Sequence, residues 1–201
     1  SHPMGTDQFG RDMLSRVLHG TRWSIIVGLT LGLTSGIIGG LVGFASGYIG
    51  GKFDVVLLRF IDALMAIPLI VLALAFLITL PDSRLGIVIS LSLAFTPLVA
   101  RVTRSSALSL RSTGYVEASR AIGTPTPSVL LWHILPNGTG PWLIIIGAQI
   151  GSAILVESSL SFLGFGAVAS NPSLGGLLSG EVQTNFYQAP WLAICPGITI
   201  I

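Results

Sequence analysis

The feature that most constrains the fold is a long run, Trp23–Tyr48, that contains no charged side chain. A helix of this length can cross the roughly 30 Å hydrocarbon core of a bilayer. Only 9% of the residues in the chain are charged, against about 25% in a typical soluble domain. With a mean hydropathy of +0.85, the chain cannot cover a globule with polar surface. The sequence therefore predicts an all-α polytopic membrane protein.

Further apolar segments predict about five spans in all, the last of which is cut at residue 201. They are Val55–Leu80, Leu85–Ala100, Asn137–Leu163 and the start of a final span at Pro190–Ile201. Pro68 should kink the second span and Pro97 should break the third, because proline lacks the backbone N–H of a helix bond. Arg59 and Asp62 lie three residues apart and can pair on one helix face.

Glycines recur at every fourth residue of the first span. One series is Gly28, Gly32, Gly36 and Gly40, and the other is Gly39, Gly43 and Gly47. Ridges of small residues let helices approach closely in lipid. Close packing is therefore favoured, although glycines lining a pore would give the same spacing. Gly147 and Gly151 predict another close-packing ridge on the span Asn137–Leu163.

A polar segment rich in glycine and proline, residues 117–136, separates two apolar stretches. Tyr115–Ile122 can form two helical turns, which Gly123 can end in the left-handed conformation. Thr126 can cap a second short helix with Pro127 at its first position. Residues 129–132 would give that helix an apolar side. Two such helices can dock a soluble partner, but an ordinary loop without a partner fits the same pattern.

This segment resembles the EAA motif of ATP-binding-cassette importer permeases. The matching residues are Glu117, Ala118, Ser119, Gly123, Ile134, Leu135 and Pro136, with Ser119 in place of the second alanine. A wider set is similar to the peptide/nickel branch and its dipeptide and oligopeptide permease C-type subunits. That set comprises His2–Asp7, Gly10–Asp12, Leu14–Arg16, His133–Asn137 and Ser161–Gly164. The chain departs from the family at Thr124–Pro127 and at Trp132, where polar residues are usual.

The resemblance implies a type I ABC importer (MetI-like) transmembrane domain over residues 25–201, with the EAA coupling loop at 114–136. In residues 1–24, apolar side chains recur at helical spacing, which suits an amphipathic segment on the outer face at the membrane surface and equally a helix packed on the protein's own flank. The chain would be a permease subunit that forms half of the translocation path for di- or oligopeptides. Nickel chelate, glutathione or another small solute is the alternative cargo, and a stand-alone secondary transporter is less favoured because no inverted repeat is visible.

The resemblance also implies the partners. They are a second related permease subunit in a heterodimer, two cytoplasmic ABC ATPase subunits that dock on the EAA loop, and an external solute-binding protein. ATP and Mg would be bound by the ATPases, and this chain would hold no cofactor of its own. A net charge of +2 gives no reason to expect a nucleic-acid partner.

The distribution of arginines bears on the orientation. Cytoplasmic ends of spans carry an excess of Lys and Arg, and three arginines follow the third span: Arg101, Arg104 and Arg111. This places the EAA loop in the cytoplasm and residues 1–24 outside, and the resemblance implies that the membrane is the inner membrane of a bacterial cell. Three other arginines conflict with the assignment, because they would lie outside: Arg11, Arg16 and Arg22.

The sequence contains no catalytic or metal-binding pattern. It has no G-x-x-x-x-G-K-[ST], C-x-x-C or H-E-x-x-H, so we expect neither an enzyme nor a metal site.

Glu157 is a lone charge in an apolar stretch and is costly in lipid. It can line the translocation path, bond a neighbouring helix or hold a helix end near water. The outer loop Gly164–Ala189, with Glu181, Phe186 and Tyr187 and the apolar patch Leu174–Leu178, suits contact with an external partner or a gate.

Overall fold

A computed structural model describes residues 3–7, 9–80, 84–165, 172–179 and 189–200, and these residues are almost entirely helical. In the described ranges, the only pairing of β type is an isolated bridge between Thr6 and Asp12. A π-helical segment, Leu130–Ile134, lies between two short α-helices in the second half of the chain. The α-helices are α1 (Met13–Ile49), α2 (Gly51–Met65), α3 (Leu69–Thr79), α4 (Arg84–Arg111), α5 (Gly114–Ala121), α6 (Thr126–Val129), α7 (Leu135–Asn137), α8 (Thr139–Phe162), α9 (Leu174–Leu178) and α10 (Trp191–Ile200).

The longest helix, α1, is the axis against which α4 and α8 pack. Its 37 residues extend about 55 Å, well beyond the roughly 30 Å of hydrocarbon, so the helix projects from the bilayer. Asp12 caps it by accepting a hydrogen bond from the Ser15 amide at 3.0 Å. The helical part of the expected outer segment, from residue 13 to residue 24, continues into the first span without a break. The division at residue 24 therefore does not coincide with a helix end.

The two glycine series of α1 face two different helices, as close packing requires. A Cβ atom built on Gly36 would lie 2.7 Å from Ile146 Cγ1 of α8. One built on Gly39 would lie 2.7 Å from Val99 Cβ of α4. The predicted close packing is confirmed. A Cβ atom built on Gly147 or Gly151 would instead meet no described atom within 4 Å, so their ridge is not used within the described part of this chain.

The second predicted span is a bent pair of helices. Helix α2 ends at Met65, α3 begins at Leu69 after Pro68, and the two axes differ by 96°. The predicted kink is thus a complete break. Helix α2 starts at Gly51, directly after Gly50 with φ +70°.

The third span differs from its prediction, because α4 runs unbroken through Pro97 to Arg111. Proline removes only one backbone hydrogen bond, and neighbouring helices in a membrane can stabilise the altered turn. Helix α4 packs on α1 on both sides of Pro97. Leu91 belongs to a buried cluster with Leu31, and Gly47 approaches Ala107. This packing holds the helix across the proline.

In the described part of the chain, three helices are long and apolar enough to span a membrane: α1, α4 and α8. The bent pair α2–α3 makes a fourth if it is counted as one span. Helix α10 is apolar but has only ten residues. With α10 counted as part of a further span, the arrangement is roughly consistent with the expected five.

Buried clusters lie at opposite ends of α1. At its C-terminal end, Phe44 and Tyr48 pack with Val116, Val129 and Ile134 from the EAA loop. At its N-terminal end, the cluster consists of Met13, Val17, Leu174, Leu177 and Leu192, which brings α9 and α10 together. The EAA loop and the outer-loop patch at α9 therefore lie at opposite ends of the molecule.

Candidate functional site

The EAA loop, residues 114–136, has two halves, and a buried side chain from each half anchors it to the spans. Val116 of α5 and Ile134 of the π segment are fully buried against Phe44 and Tyr48 of α1. Leu110 of α4 packs against the same cluster, which we call the loop anchor. The loop thus rests on the ends of α1 and α4 as a fixed projection.

The turn in the loop has the geometry predicted for Gly123. Its φ is +83°, which glycine adopts without strain. The Gly123 amide donates to the Arg120 carbonyl at 3.0 Å, and the Thr124 amide donates to the Ser119 carbonyl at 3.1 Å. These bonds satisfy carbonyls left free at the end of α5. The predicted helix and its glycine stop are confirmed.

The predicted start of the second helix is wrong by one residue. Pro125, not Thr126, takes the cap position with an extended backbone, and its carbonyl accepts bonds from the Ser128 and Val129 amides at 3.0 and 3.1 Å. Thr126 is therefore the first helical residue. Proline is well suited to this place, because its fixed φ already matches the conformation required.

The second helix is also not separate. It passes from α6 into the π segment and α7, and the Gly138 amide donates to the Ile134 carbonyl at 2.9 Å just before α8 begins. A π turn inserts an extra residue and shifts the helix face, and such turns are common at functional sites. The loop is consequently joined to the span α8 by almost continuous helix.

The matched motif residues fall on two sides of the loop. Glu117, Ala118, Gly123 and Pro136 are exposed, whereas Ser119 and Ile134 are buried and Leu135 is partly buried. The small side chain of Ser119 suits its buried position. The motif therefore combines residues that attach the loop to the spans with residues that are free to contact another molecule.

Several large apolar side chains of the loop are exposed. Ile122 is 84% exposed and Trp132 is 76% exposed, with Leu131 also at the surface. The predicted apolar residues of the second helix are divided between two surroundings, since Val129 is buried and Leu131 and Trp132 are exposed. Sequence reasoning did not single out Ile122, although an apolar residue just before a glycine stop marks a projecting corner. Exposed apolar patches of this kind mark interaction sites.

Ion pairs tie the ends of α2 and α4 together beside the loop. Arg104 donates to Asp54 through Nε at 2.5 Å and through Nη2 at 2.6 Å, and Ser46 Oγ donates to the same carboxylate at 2.6 Å. Arg101 pairs with Asp62. The predicted pair of Arg59 with Asp62 is therefore wrong, because Asp62 lies on the side of α2 that faces α4.

Glu157 is fully buried where α8 meets α1. Ser161 Oγ donates to Glu157 Oε1 at 2.8 Å, Ser24 Oγ donates to Oε2 at 3.3 Å, and the Trp23 side chain is a further hydrogen-bond partner. Among the three roles predicted for it, this geometry shows the bond to a neighbouring helix. The role in the translocation path stays a prediction.

The outer-loop patch Leu174–Leu178 is helix α9. Its start lies close to α1, because a Cβ atom built on Gly20 would be 3.1 Å from the backbone nitrogen of Leu174. Glu181, Phe186 and Tyr187 lie outside the described residues, as do His2 and residues 81–83. Within the described ranges, no group of three His, Cys, Asp or Glu side chains could hold a metal ion.

Comparison with known proteins agrees with this architecture. Residues 39–201 match the family model of the binding-protein-dependent transport system inner membrane component. The chain is 39% identical over 199 residues to a Brucella suis permease protein named for peptide transport, covering 99% of this chain and 67% of the relative. It is 36% identical over 201 residues to the dipeptide transport system permease protein DppC of Alkalihalophilus pseudofirmus, covering 100% of this chain and 66% of the relative.

A third relative has a different named cargo. The glutathione transport system permease protein GsiD of Pectobacterium atrosepticum is 34% identical over 200 residues, covering 100% of this chain and 66% of the relative. The chain spans about two thirds of the length of these relatives. The match covers the anchored loop, all three long spans in part or in full, and the ion pairs beside the loop. The chain therefore belongs to the family of inner membrane components of binding-protein-dependent transport systems.

Proposed function

We propose that the chain is the permease subunit of an ATP-driven importer and forms half of the translocation path for di- or oligopeptides. The observation that carries the proposal is the anchored EAA loop, which presents Glu117 and Ile122 outward while Val116 and Ile134 hold it to the spans. Relatives named for peptide and dipeptide transport favour this cargo. The relative named for glutathione supports a small peptide-like solute as the alternative.

The loop would receive movement from ATPase subunits that bind ATP and Mg. Ile122 and Trp132 supply apolar contact area, and Glu117 supplies a charge beside it. The helix from Thr126 through the π segment leads directly into α8, so a displacement of the loop would move that span. ATP hydrolysis would take place in the ATPase subunits, and this chain would act by changing conformation.

The charges of the described residues favour a cytoplasmic loop. At the opposite end of α1, Asp7 pairs with both Arg11 and Arg16, but the rule counts basic residues and not net charge, so these arginines still oppose the assignment. Arg22 remains there without an ion-pair partner among the described residues. At the loop end, Lys52, Arg111 and Arg120 have no such partner in the described ranges either. The excess of positive charge at the loop end supports a loop inside and residues 1–24 outside.

A second related permease subunit would complete the path. The side of α8 that carries Gly147 and Gly151 is exposed and has no neighbour in the described part of the chain. Small residues on such a surface permit close approach of another helix. An external solute-binding protein would deliver the cargo at the end of the molecule formed by α9 and α10.

Docking is tested by co-purification of the complete importer with an affinity tag on the permease. Ile122→Asp should reduce the recovered ATPase by tenfold or more and abolish ATP-dependent uptake of a labelled dipeptide into proteoliposomes. Phe9→Asp changes another well-exposed apolar residue, 63% exposed, at the other end of the molecule; it is the matched control and should keep the ATPase. Full recovery of ATPase with Ile122→Asp would exclude the docking role, and uptake driven by an ion gradient without ATP would instead support a secondary transporter.

A further inference from the structure

The bend between α2 and α3 separates two helices of different character. Helix α3 is apolar and has 11 residues, about 16 Å, while α2 has 15 residues and carries several charges. Because their axes differ by 96°, α2 must lie close to the membrane plane if α3 follows the membrane normal. The charged residues of α2 are Lys52, Asp54, Arg59 and Asp62.

One side of α2 is committed to α4. Ile61 and Asp54 are buried there, and both acidic residues of the helix are used in ion pairs with Arg104 and Arg101. These pairs neutralise the two arginines of α4 as well. The cations of α2 itself, Lys52 and Arg59, have no ion-pair partner among the described residues.

The other side of α2 is an amphipathic surface. Phe53, Val56 and Phe60 recur at helical spacing and are exposed, with Val56 at 70%. Lys52 and Arg59, seven residues apart, lie along the edge of this stripe and are exposed too. Phenylalanines beside a row of basic residues are typical of helices that lie in the interface between lipid headgroups and acyl chains.

We propose that this side of α2 binds anionic phospholipid in the leaflet nearest the EAA loop. Phe53, Val56 and Phe60 enter the acyl region, and Lys52 and Arg59 contact the phosphate groups. Charge complementarity favours this occupant: the acidic side chains of α2 already face α4, and each basic residue near a membrane surface is attracted to anionic lipid. The proposal requires only that the chain is embedded in a membrane, and it is independent of the cargo and of the ATPase partner.

Lipid dependence of thermal stability is the first test, on the complete importer in a neutral detergent. Added phosphatidylglycerol should raise the apparent Tm of the permease by about 4–8 °C more than phosphatidylcholine does. The double variant Lys52→Gln/Arg59→Gln should lose this difference. The charge-conserving Lys52→Arg/Arg59→Lys and the distant Arg22→Gln should keep it. An equal response of the Gln double variant and the natural chain would overturn the proposal.

The position of the apolar stripe is the second test. A nitroxide is attached at Val56→Cys, and in a separate sample at Phe60→Cys. Cys195 of this chain and the cysteines of the other importer subunits are first replaced by serine. In phosphatidylglycerol-containing vesicles, relaxation by oxygen should exceed relaxation by water-soluble chromium oxalate severalfold. Stronger relaxation by chromium oxalate, or an immobilised label that neither reagent reaches because protein covers it, would overturn the proposal.

Discussion

Arg104 of α4 binds Asp54 of α2 with two hydrogen bonds, Nε to Oδ1 at 2.5 Å and Nη2 to Oδ2 at 2.6 Å. The side chains are only 19% and 12% exposed, respectively, and Ser46 of α1 donates to the same carboxylate. This single pair therefore joins α1, α2 and α4 near the end of α1 on which the EAA loop rests. The pair of Arg101 with Asp62 lies about two turns further along α2 and about one turn earlier on α4, and it is almost half exposed.

We expect Asp54→Ala to be the more damaging of two acidic substitutions on α2. It leaves Arg104 partly buried without a counter-charge and should lower the free energy of unfolding by about 3 kcal/mol. Asp62→Ala breaks an exposed pair, which water already screens, and should cost at most about 1 kcal/mol. Reversible denaturation in mixed micelles measures both. Equal losses would show that burial does not distinguish the two pairs.

The glycine contacts of α1 should be sensitive to a single methyl group. In Gly39→Ala, the new Cβ would lie 2.7 Å from Val99 Cβ and 2.8 Å from the Thr96 carbonyl oxygen, so the helices must separate. Overpacking of this kind costs about 1–3 kcal/mol. Gly147→Ala, in open space on α8, is the matched control and should be neutral or slightly stabilising in the isolated permease. A stable Gly39→Ala protein would contradict the close α1–α4 contact.

Much of the architecture could be predicted because it depends on local patterns. A charge-free run predicts a span, and glycines four residues apart predict a surface that another helix can approach. The left-handed φ of Gly123 also follows from its place after a short helix. In each case the physical cause lies within a few consecutive residues.

The features that were missed depend on relations between distant segments. Asp62 has Arg59 one turn away, but the orientation of α2 on α4 directs it to Arg101 instead. Pro97 leaves α4 intact because α1 packs on both sides of it, a contact that the sequence of α4 alone does not reveal. The exposure of Ile122 similarly follows from the loop anchor, which takes Val116 and Ile134 as its buried residues.

The turn of the EAA loop should depend on the backbone freedom of Gly123. With φ at +83°, Gly123→Ala places a Cβ in the strained left-handed region and should destabilise the loop by about 1–2 kcal/mol. Gly123→Asn should cost less, because asparagine tolerates this region better. Gly114→Ala, at the first residue of α5 with open space around it, is the control. Protease resistance of the loop and recovery of ATPase should fall in the order glycine, asparagine, alanine, and any other order would contradict the strain argument.

The turn before α1 should lose stability in acid. Burial raises the pKa of Asp7, but hydrogen bonds from the Arg11 amide, the Arg11 side chain and the Phe9 amide outweigh it, so the pKa lies below its ordinary value of 3.8. A carboxylate whose folded pKa is depressed stabilises the fold above its unfolded pKa, and this contribution disappears as the pH falls through the folded pKa. We therefore expect Asp7→Asn to lower the Tm near neutral pH.

The same comparison in acid provides the check on Asp7. As the pH falls from about 3.8 through the lower folded pKa of Asp7, the Tm values of Asp7→Asn and the natural chain should converge, because only below that folded pKa do both folded chains carry a neutral side chain at this position. Thermal unfolding from pH 7 down to the lowest pH at which the chain still folds measures the difference. A constant gap across this range would show that Asp7 acts by shape alone, without its charge.

Two substitutions of Glu157 distinguish a role in helix packing from a role in transport. Glu157→Gln keeps the size of the side chain, and the Ser24 and Ser161 hydroxyls can each either donate or accept, so the bonds between α1 and α8 can re-form. We expect this variant to unfold within about 1 kcal/mol of the natural chain and to keep dipeptide uptake. Glu157→Leu leaves both hydroxyls without their partner and should lose about 2 kcal/mol. A Glu157→Gln permease that folds normally but no longer moves peptide would contradict a purely structural role, because only the charge would have been removed, and it would place that charge in the path.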